Sequence, residues 1–503
     1  MSAHRLASEA GAKVLRRGGN AFDAAIATSL MLGVVEPAFS GVGGGGFALL
    51  HTASGEDLAL DYRETAPLKA TASMFAEGSD TNRVGPLAVA TPGLLAGHSK
   101  ILELYGTTKF SELAKSAVET AESGFAARSV SQDLIADGNP EVMRKINRFE
   151  TTSGVFLGKK SFPLIAKTLM EVAKSGPGEF YRGAIPSKIA RHVRDMGGIL
   201  SEEDFERYAP RERKPVRGRY RDHDVLSMPP PSAGGALLIH GLGVLEELGG
   251  IPGGGEATRV AVMAALIESM LKDKGRFGDP DFVEVPLPAL ISREAIKETA
   301  KEILARPPGG AAPPLHDIGS TTHFCVVDRK GNAVAATETV ECYYGSGVTV
   351  PGLGVLLNDE MHDFDIASGK PNSVAPLKRP ASSMSPTILL KDDLPTLILG
   401  ASGSERIISS IFQVITNVFE RGMGLVDALA APRLHPLSEG LMLEPGLPDS
   451  EIRALESLGL VPKVGERPGL FFGGVQALMV DQKRGSVTGV ADPRRRGVAV
   501  SES

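Results

Sequence analysis

The stretch Ser320-Thr321-Thr322-His323-Phe324-Cys325-Val326-Val327-Asp328-Arg329-Lys330-Gly331-Asn332, with the apolar run that follows to Thr339, decides the reading of this chain. Hydroxyl side chains stand at the head of an apolar strand, a Lys330-Gly331 turn follows, and a second strand returns. If the turn centres on Lys330, position 321 lies opposite position 339. Residues directly opposite in an antiparallel pair have Cβ atoms about 5 Å apart. Thr339 is therefore expected to bring its hydroxyl beside Thr321, although threonine is also simply a common strand residue. A strand head behind a long preceding segment is what a chain needs if it cuts itself and exposes Thr321 as a new N-terminal residue. Such a threonine carries a hydroxyl to attack and an α-amino group, titrating near about pH 8, to take its proton.

Working outward, Arg306 to Ile318 holds four prolines, two glycines and no periodicity, and reads as an exposed, extended segment leading into Ser320. Further upstream, Ala3–Arg17 is an amphipathic helix stopped by Gly18-Gly19, and Asn20 caps a second helix, Ala21 to about Leu32. Ser40–Gly46 is a glycine-rich turn, and Phe47–His51 and Leu58–Tyr62 read as two strands. From about 86 to 300 the pattern is mainly helical, including Ser111–Ser123, Ile165–Lys174, Ser187–Asp195 and Ala257–Lys274, with one strand at Tyr220–Ser227. Beyond 320 strands dominate; Leu394–Leu399 ends in Gly400-Ala401-Ser402-Gly403, and a helix runs from Ile407 to Phe419. Helices, then paired sheets, then helices give an α+β chain with a layered αββα body.

Composition sets outer bounds. The 503 residues are 42% hydrophobic and 23% charged with net charge −6, ordinary for a soluble globular protein. No broad basic excess argues for nucleic acid, and Arg494-Arg495-Arg496 reads as a solvated turn. Two cysteines, Cys325 and Cys342, do not suggest a disulfide framework. Cys325 shares a strand side with His323, as a buried filler or a site-proximal thiol. Met1–Leu15 lacks the apolar centre of a signal peptide and no run reaches a membrane span, so a cytoplasmic protein with no membrane partner is expected; a chain whose signal had been removed reads the same.

Four further constellations carry chemistry. Gly400-Ala401-Ser402-Gly403-Ser404, between strand and helix, offers backbone N–H groups to an oxyanion or is an ordinary turn; no Lys-Ser/Thr follows to make it a phosphate loop. The Ser40–Gly46 glycines more naturally permit close backbone approach. In Asn358-Asp359-Glu360-Met361-His362-Asp363 the carboxylates at 360 and 363 share one side of a helical turn, open to an ammonium, a metal or only water; His362 has no partner at zinc-ligand spacing. Arg63, in Asp61-Tyr62-Arg63-Glu64-Thr65-Ala66-Pro67, can clamp a carboxylate bidentately or form a surface ion pair with Glu64. Ser382-Ser383-Met384-Ser385-Pro386 places hydroxyls in a loop before a strand.

Together these residues resemble the γ-glutamyltranspeptidase family of N-terminal nucleophile hydrolases. The ordered motifs run from Ala7-Ser8-Glu9-Ala10-Gly11 and Arg17-Gly18-Gly19-Asn20-Ala21 through Val35-Glu36-Pro37, Arg63-Glu64-Thr65-Ala66-Pro67 and Met228-Pro229-Pro230-Pro231-Ser232. They continue through Gly278-Asp279-Pro280-Asp281, Thr321-Thr322-His323-Phe324 and Ser382-Ser383-Met384-Ser385-Pro386-Thr387 to Asp492-Pro493-Arg494-Arg495. The resemblance implies a four-layer αββα sandwich made as a precursor that cuts itself between Ser320 and Thr321. A large subunit, 1–320, and a small catalytic subunit, 321–503, would interleave in one body. It implies Thr321 as nucleophile, Thr339 as its support, and Gly403 and Ser404 at the oxyanion-hole positions. Arg63 with Ser382 and Ser383 would hold a substrate α-carboxylate, and Glu341, Glu360 and Asp363 would stand around its α-amino group. The expected partners are a small γ-glutamyl substrate and water or an amine as acceptor, with no cofactor and no metal; assembly into a homo-oligomer is left open.

Departures from the family pattern qualify this. Glu341 stands where an asparagine usually contacts the substrate amine, and three carboxylates so close repel and raise a pKa. Ser404 replaces a glycine, and Glu405 is expected to set a negative charge near a developing oxyanion. The short segment between Asp363 and Ser382 leaves the cleft open to larger substrates. The alternatives are a related acylase, a poly-γ-glutamate-cleaving enzyme, or an unprocessed relative without activity.

Overall fold

The computed structural model describes residues 1–125, 130–148, 162–251, 253–305 and 319–501. The proline- and glycine-rich stretch 306–318, expected to run extended, lies outside the described residues.

Two sheets form the middle of the molecule. The first has the order β3-β2-β1-β7-β6, from β1 (Gly45–His51), β2 (Asp57–Tyr62), β3 (Arg211–Arg213), β6 (Gly319–Val327) and β7 (Ala333–Cys342). The second has the order β16-β15-β11-β10-β5-β4, from β4 (Val216–Tyr220), β5 (His223–Ser227), β10 (Thr387–Lys391), β11 (Leu394–Ser402), β15 (Gly474–Asp481) and β16 (Ser486–Ala491). Smaller pieces are β8 (Thr349–Val350) with β9 (Val355–Leu356), and β12 (Leu434–Leu437), β13 (Gly440–Leu443) and β14 (Pro462–Val464). Each large sheet mixes strands from both sides of Ser320.

Strand alternation builds the layers. Phe47 and Leu49 of β1, Cys325 of β6 and Ala335 of β7 join the second sheet in one core. Their neighbours Ala48, Leu50, Phe324 and Ala336 join a second core under the helices Ala21–Val35, Leu94–Tyr105 and Phe110–Ser123. The helices Gly234–Glu247 and Arg406–Phe419 cover the far sheet, completing the αββα sandwich, and Glu256–Leu271 packs on the first of them. The helix Ala21–Val35 is apolar all round, as befits a helix packed on every side. Asn20 and Asp23 close its first turn as a reciprocal capping box.

The predicted hairpin forms. Thr321 pairs with Thr339 and the register holds to Val327 opposite Ala333; a bulge between Ser320 and Thr321 breaks it on the upstream side. The Asp328 carboxylate fixes the turn, accepting from the Lys330 N–H at 2.9 Å and the Asn332 amide at 2.7 Å, and also accepts the Ala21 N–H that opens the long helix.

Two expectations are corrected. Tyr220–Ser227 is not one strand: β4 ends at Tyr220, Arg221 turns with φ +54°, and β5 starts at His223. Nor is Arg494-Arg495-Arg496 a solvated turn. Arg494 and Arg495 are buried; Arg494 binds Glu444 and Asp492, while Arg433 binds Asp492 at 2.6 Å. Only Arg496 is exposed, and it pairs with Asp133. Buried cations of this kind persist because partners distant in sequence neutralise them. Among the described residues no helix is long and apolar enough to cross a membrane.

Candidate active site

The peptide between Ser320 and Thr321 is gripped on both sides. The Thr339 hydroxyl donates to the Ser320 carbonyl at 2.5 Å and accepts the Glu341 N–H at 2.8 Å. The second bond matters for the first: with its lone pair engaged by an N–H, the hydroxyl proton is directed at the carbonyl. The Ser320 hydroxyl donates to the Ala38 carbonyl. Arg495 donates through Nη2 to the Thr321 carbonyl at 2.9 Å and to the Ser402 hydroxyl at 2.7 Å, its guanidinium lying 4.1 Å from the Phe39 ring centre. Close backbone approach beneath the pair requires glycine. A Cβ on Gly44 would meet the Thr339 carbonyl at 2.1 Å, and one on Gly43 the Leu356 carbonyl at 1.9 Å. His323, on the same strand face, is buried and bonds to Thr337 at 2.8 Å and to the Cys325 thiol at 3.1 Å. Burial lowers its pKa to about 3 and raises that of Cys325 to about 12, so the thiol is an inert filler.

Gly403 and Ser404 form the step from β11 into the helix Arg406–Phe419, with φ of +128° and +54°. The left-handed conformation at Ser404 costs a non-glycine residue about 1 kcal/mol and leaves its backbone N–H in place. Glu405 does not present the bare charge expected of it: its Oε1 lies 2.5 Å from the Lys274 ammonium.

Thr321, Thr339, Ser404 and Glu405 line one cavity of about 350 Å³ together with Arg63, Glu341, His362, Asp363, Ser382, Ser383 and Lys274. That volume suits a small ligand. The sequence-predicted residues thus converge, with Glu360 buried directly behind, where its Oε1 lies 2.5 Å from the Arg63 guanidinium. Arg63 also pairs with Asp363 and is fully buried, rather than forming the alternative surface pair with Glu64. The Arg63 peptide is fixed by its N–H to Asp61 at 3.0 Å and by the Tyr208 hydroxyl on its carbonyl at 2.8 Å. The Ser382 hydroxyl accepts the Met384 N–H at 3.1 Å.

Carboxyl chemistry dominates this end. Burial pushes Glu64 up to about 8 and Glu360 well above the usual range, against the pull of Arg63. The Glu64 charge adds to the rise of Glu360, so burial and crowding together favour the protonated form there. Burial and then Asp363 raise Glu341 to about 7 despite His362, whose Nδ1 is 3.7 Å away. Burial also works on Asp363, but Arg63 and His362 outweigh it and hold that carboxyl below its ordinary value. A cation could be met here: ligand atoms of Glu341, Glu360 and Asp363 lie within 4.8 Å of one another, as do those of Glu341, Cys342 and His362. The fold therefore gives His362 neighbours that sequence spacing did not. Burial, with Asp359 next, keeps the Cys342 thiol protonated, which makes it a poor metal ligand. Arg63 already supplies a fixed cation to the carboxylates.

Sequence reasoning missed Glu64, His362, Lys274 and Arg495 as parts of this site. Glu64 and His362 sat inside quoted motifs and were legible as neighbours. Arg495 sits inside the quoted Asp492-Pro493-Arg494-Arg495 motif but reads locally as a solvated turn, and Lys274 reaches the site from a distant segment with no local signal.

The family pattern described as Gamma-glutamyltranspeptidase matches residues 7–502. The chain is 36% identical to the glutathione hydrolase proenzyme of Escherichia coli (strain K12), over 97% of this chain and 89% of that protein. It is 33% identical to the acylase ACY 1 proenzyme of Pseudomonas sp. (strain SE83), over 99% and 92%. Among solved structures, cephalosporin acylase from Bacillus halodurans superposes with TM-score 0.89 at 26% identity, covering 99% of this chain and 94% of that one. Helicobacter pylori gamma-glutamyltranspeptidase superposes with TM-score 0.55 at 36% identity, covering 60% and 90%. The chain belongs to the gamma-glutamyltranspeptidase family.

Proposed function

We propose that this member of the gamma-glutamyltranspeptidase family cuts itself between Ser320 and Thr321, and that the mature protein hydrolyses or transfers γ-glutamyl groups from amides such as glutathione. The observation that carries the reading is the Thr339 hydroxyl at 2.5 Å from the Ser320 carbonyl, in a register that sets Thr339 opposite Thr321. In maturation the Thr321 Oγ attacks that carbonyl while Thr339 stabilises the negative charge forming on its oxygen. The C–N bond breaks, the Thr321 nitrogen takes up a proton, and an ester remains. Water hydrolyses the ester, leaving 1–320 with a carboxylate end and 321–503 with a free threonine amine.

In turnover that amine accepts the Thr321 hydroxyl proton, and Oγ attacks the γ-carbonyl of the substrate. The Gly403–Ser404 turn offers backbone N–H groups to the oxyanion. The amine half of the substrate leaves with a proton, and water or another amine then takes the acyl group from Thr321. Arg63 with Ser382 and Ser383 receives the α-carboxylate, while Glu341 and Asp363 face the α-ammonium, with Glu360 behind them against Arg63.

Glu341 favours a second reading, an acylase that accepts acyl groups without an α-ammonium. Protonated, it removes charge from the amine pocket, and the relatives include proteins named acylases. Cleavage of poly-γ-glutamyl chains belongs to the same alternative. Steady-state assays of γ-glutamyl, glutaryl and poly-γ-glutamyl substrates separate them. The first reading expects the highest kcat/KM on the γ-glutamyl anilide, and no turnover of it would overturn that reading.

A further inference from the structure

Glu405 is buried, follows the Gly403–Ser404 turn directly, and stands at the start of the helix Arg406–Phe419. A carboxylate there competes with a developing oxyanion for the same positive helix end. Only one of its oxygens is engaged: Oε1 meets the Lys274 ammonium at 2.5 Å, while Oε2 has no hydrogen-bond partner among the described residues. Lys274 comes from a short turn after the helix Glu256–Leu271 and lines the cavity that also holds Thr321. Arg406 also feels the Glu405 charge through space but makes no hydrogen bond to it among the described residues. Lys272 pairs with Glu302 at 2.9 Å, and the Arg406 guanidinium lies 4.9 Å from the Phe471 ring centre.

We infer that Lys274 is a positioning residue for the reaction at Thr321: its ammonium holds and neutralises the Glu405 carboxylate so that negative charge can develop at the Gly403–Ser404 turn. The inference rests on the proposed function, since it needs an oxyanion at that turn. Lysine and glutamate act here as one device. Losing the lysine alone leaves an uncompensated buried carboxylate beside the reacting carbonyl, whereas losing both charges restores a neutral surround.

The test is a double-variant cycle on the mature enzyme with a γ-glutamyl anilide, or a glutaryl anilide if that is the better substrate. Lys274→Gln is expected to lower kcat by about 10-fold or more, with KM changed by less than about 3-fold. Lys274→Arg keeps the pair, and its kcat stays within about 3-fold of the parent. The double variant Lys274→Gln/Glu405→Gln recovers most of the lost kcat. Self-cleavage and a cooperative unfolding transition certify folding of each variant, with Lys274→Gln melting lower than the parent because the buried Glu405 carboxylate loses a partner. An active parent with an unaffected Lys274→Gln, or a double variant as slow as the single, overturns the inference alone. A parent that turns over neither anilide overturns the inference together with the function it rests on.

Discussion

At the residue scale, the Thr339 hydroxyl holds a proton on the Ser320 carbonyl because the Glu341 N–H occupies its lone pair. Thr339→Val keeps the strand shape and removes that donor. Self-cleavage should slow by about 100-fold, the usual cost of losing one oxyanion donor, while Thr339→Ser stays close to the parent; band intensities on a timed denaturing gel measure both. Arg63 is buried against Glu360 and Asp363, so Arg63→Ala has two effects. Self-cleavage continues, KM rises by about 100-fold, and the melting temperature falls because buried carboxylates lose their cation, readable by assay and calorimetry. The Glu341 carboxyl, raised to about 7, is protonated below that pH and ionised above it. An ammonium-bearing substrate is therefore held better as pH rises. The KM ratio of glutaryl to γ-glutamyl anilide should increase between about pH 6 and 8, and Glu341→Gln should flatten it; using a ratio cancels the titration of the Thr321 amine. Sequence alone exposed the crowding of carboxylates, since spacing and resemblance converge on 341, 360 and 363. It did not expose which of them would be neutral, because that depends on burial and on Glu64, whose orientation only the fold supplies.

At the scale of elements, the hairpin β6–β7 was readable because its turn is short and polar, and the Asp328 carboxylate fixes the centre that the register arithmetic assumes. The bulge between Ser320 and Thr321 was not readable, since no glycine marks it. Tyr220–Ser227 misled for the same reason: Arg221 adopts a positive φ without being the glycine or asparagine that advertises such a turn. Ser404 is a third case, and it yields a prediction. Ser404→Gly relieves the left-handed backbone, so stability should hold or rise by up to about 1 kcal/mol in thermal unfolding, with turnover retained; a large loss of turnover would mean that the serine hydroxyl has a role of its own. Gly44→Ala goes the other way. Its Cβ meets a backbone carbonyl at 2.1 Å, and a cost of about 3 kcal/mol should appear in chemical denaturation.

At the scale of the whole molecule, layer order followed from the alternation of helical and strand texture, whereas the pairing of distant charges did not. Arg495 grips Thr321 from 174 residues away, and Lys274 meets Glu405 across 131. A local run of arginines looks solvated until the strands that bury it are assembled. Because both sheets draw strands from each side of Ser320, a cut there is expected to leave the sandwich intact. The processed halves should co-elute in size exclusion and separate only in denaturant. The central claim is that Thr321 makes that cut and becomes the nucleophile. Mass spectrometry of the purified parent and of Thr321→Ala, after long incubation, tests it most directly. The account predicts two fragments from the parent, the smaller beginning at Thr321, and a single uncut chain from the variant. A variant that still splits, or a parent fragment beginning at another residue, would contradict it.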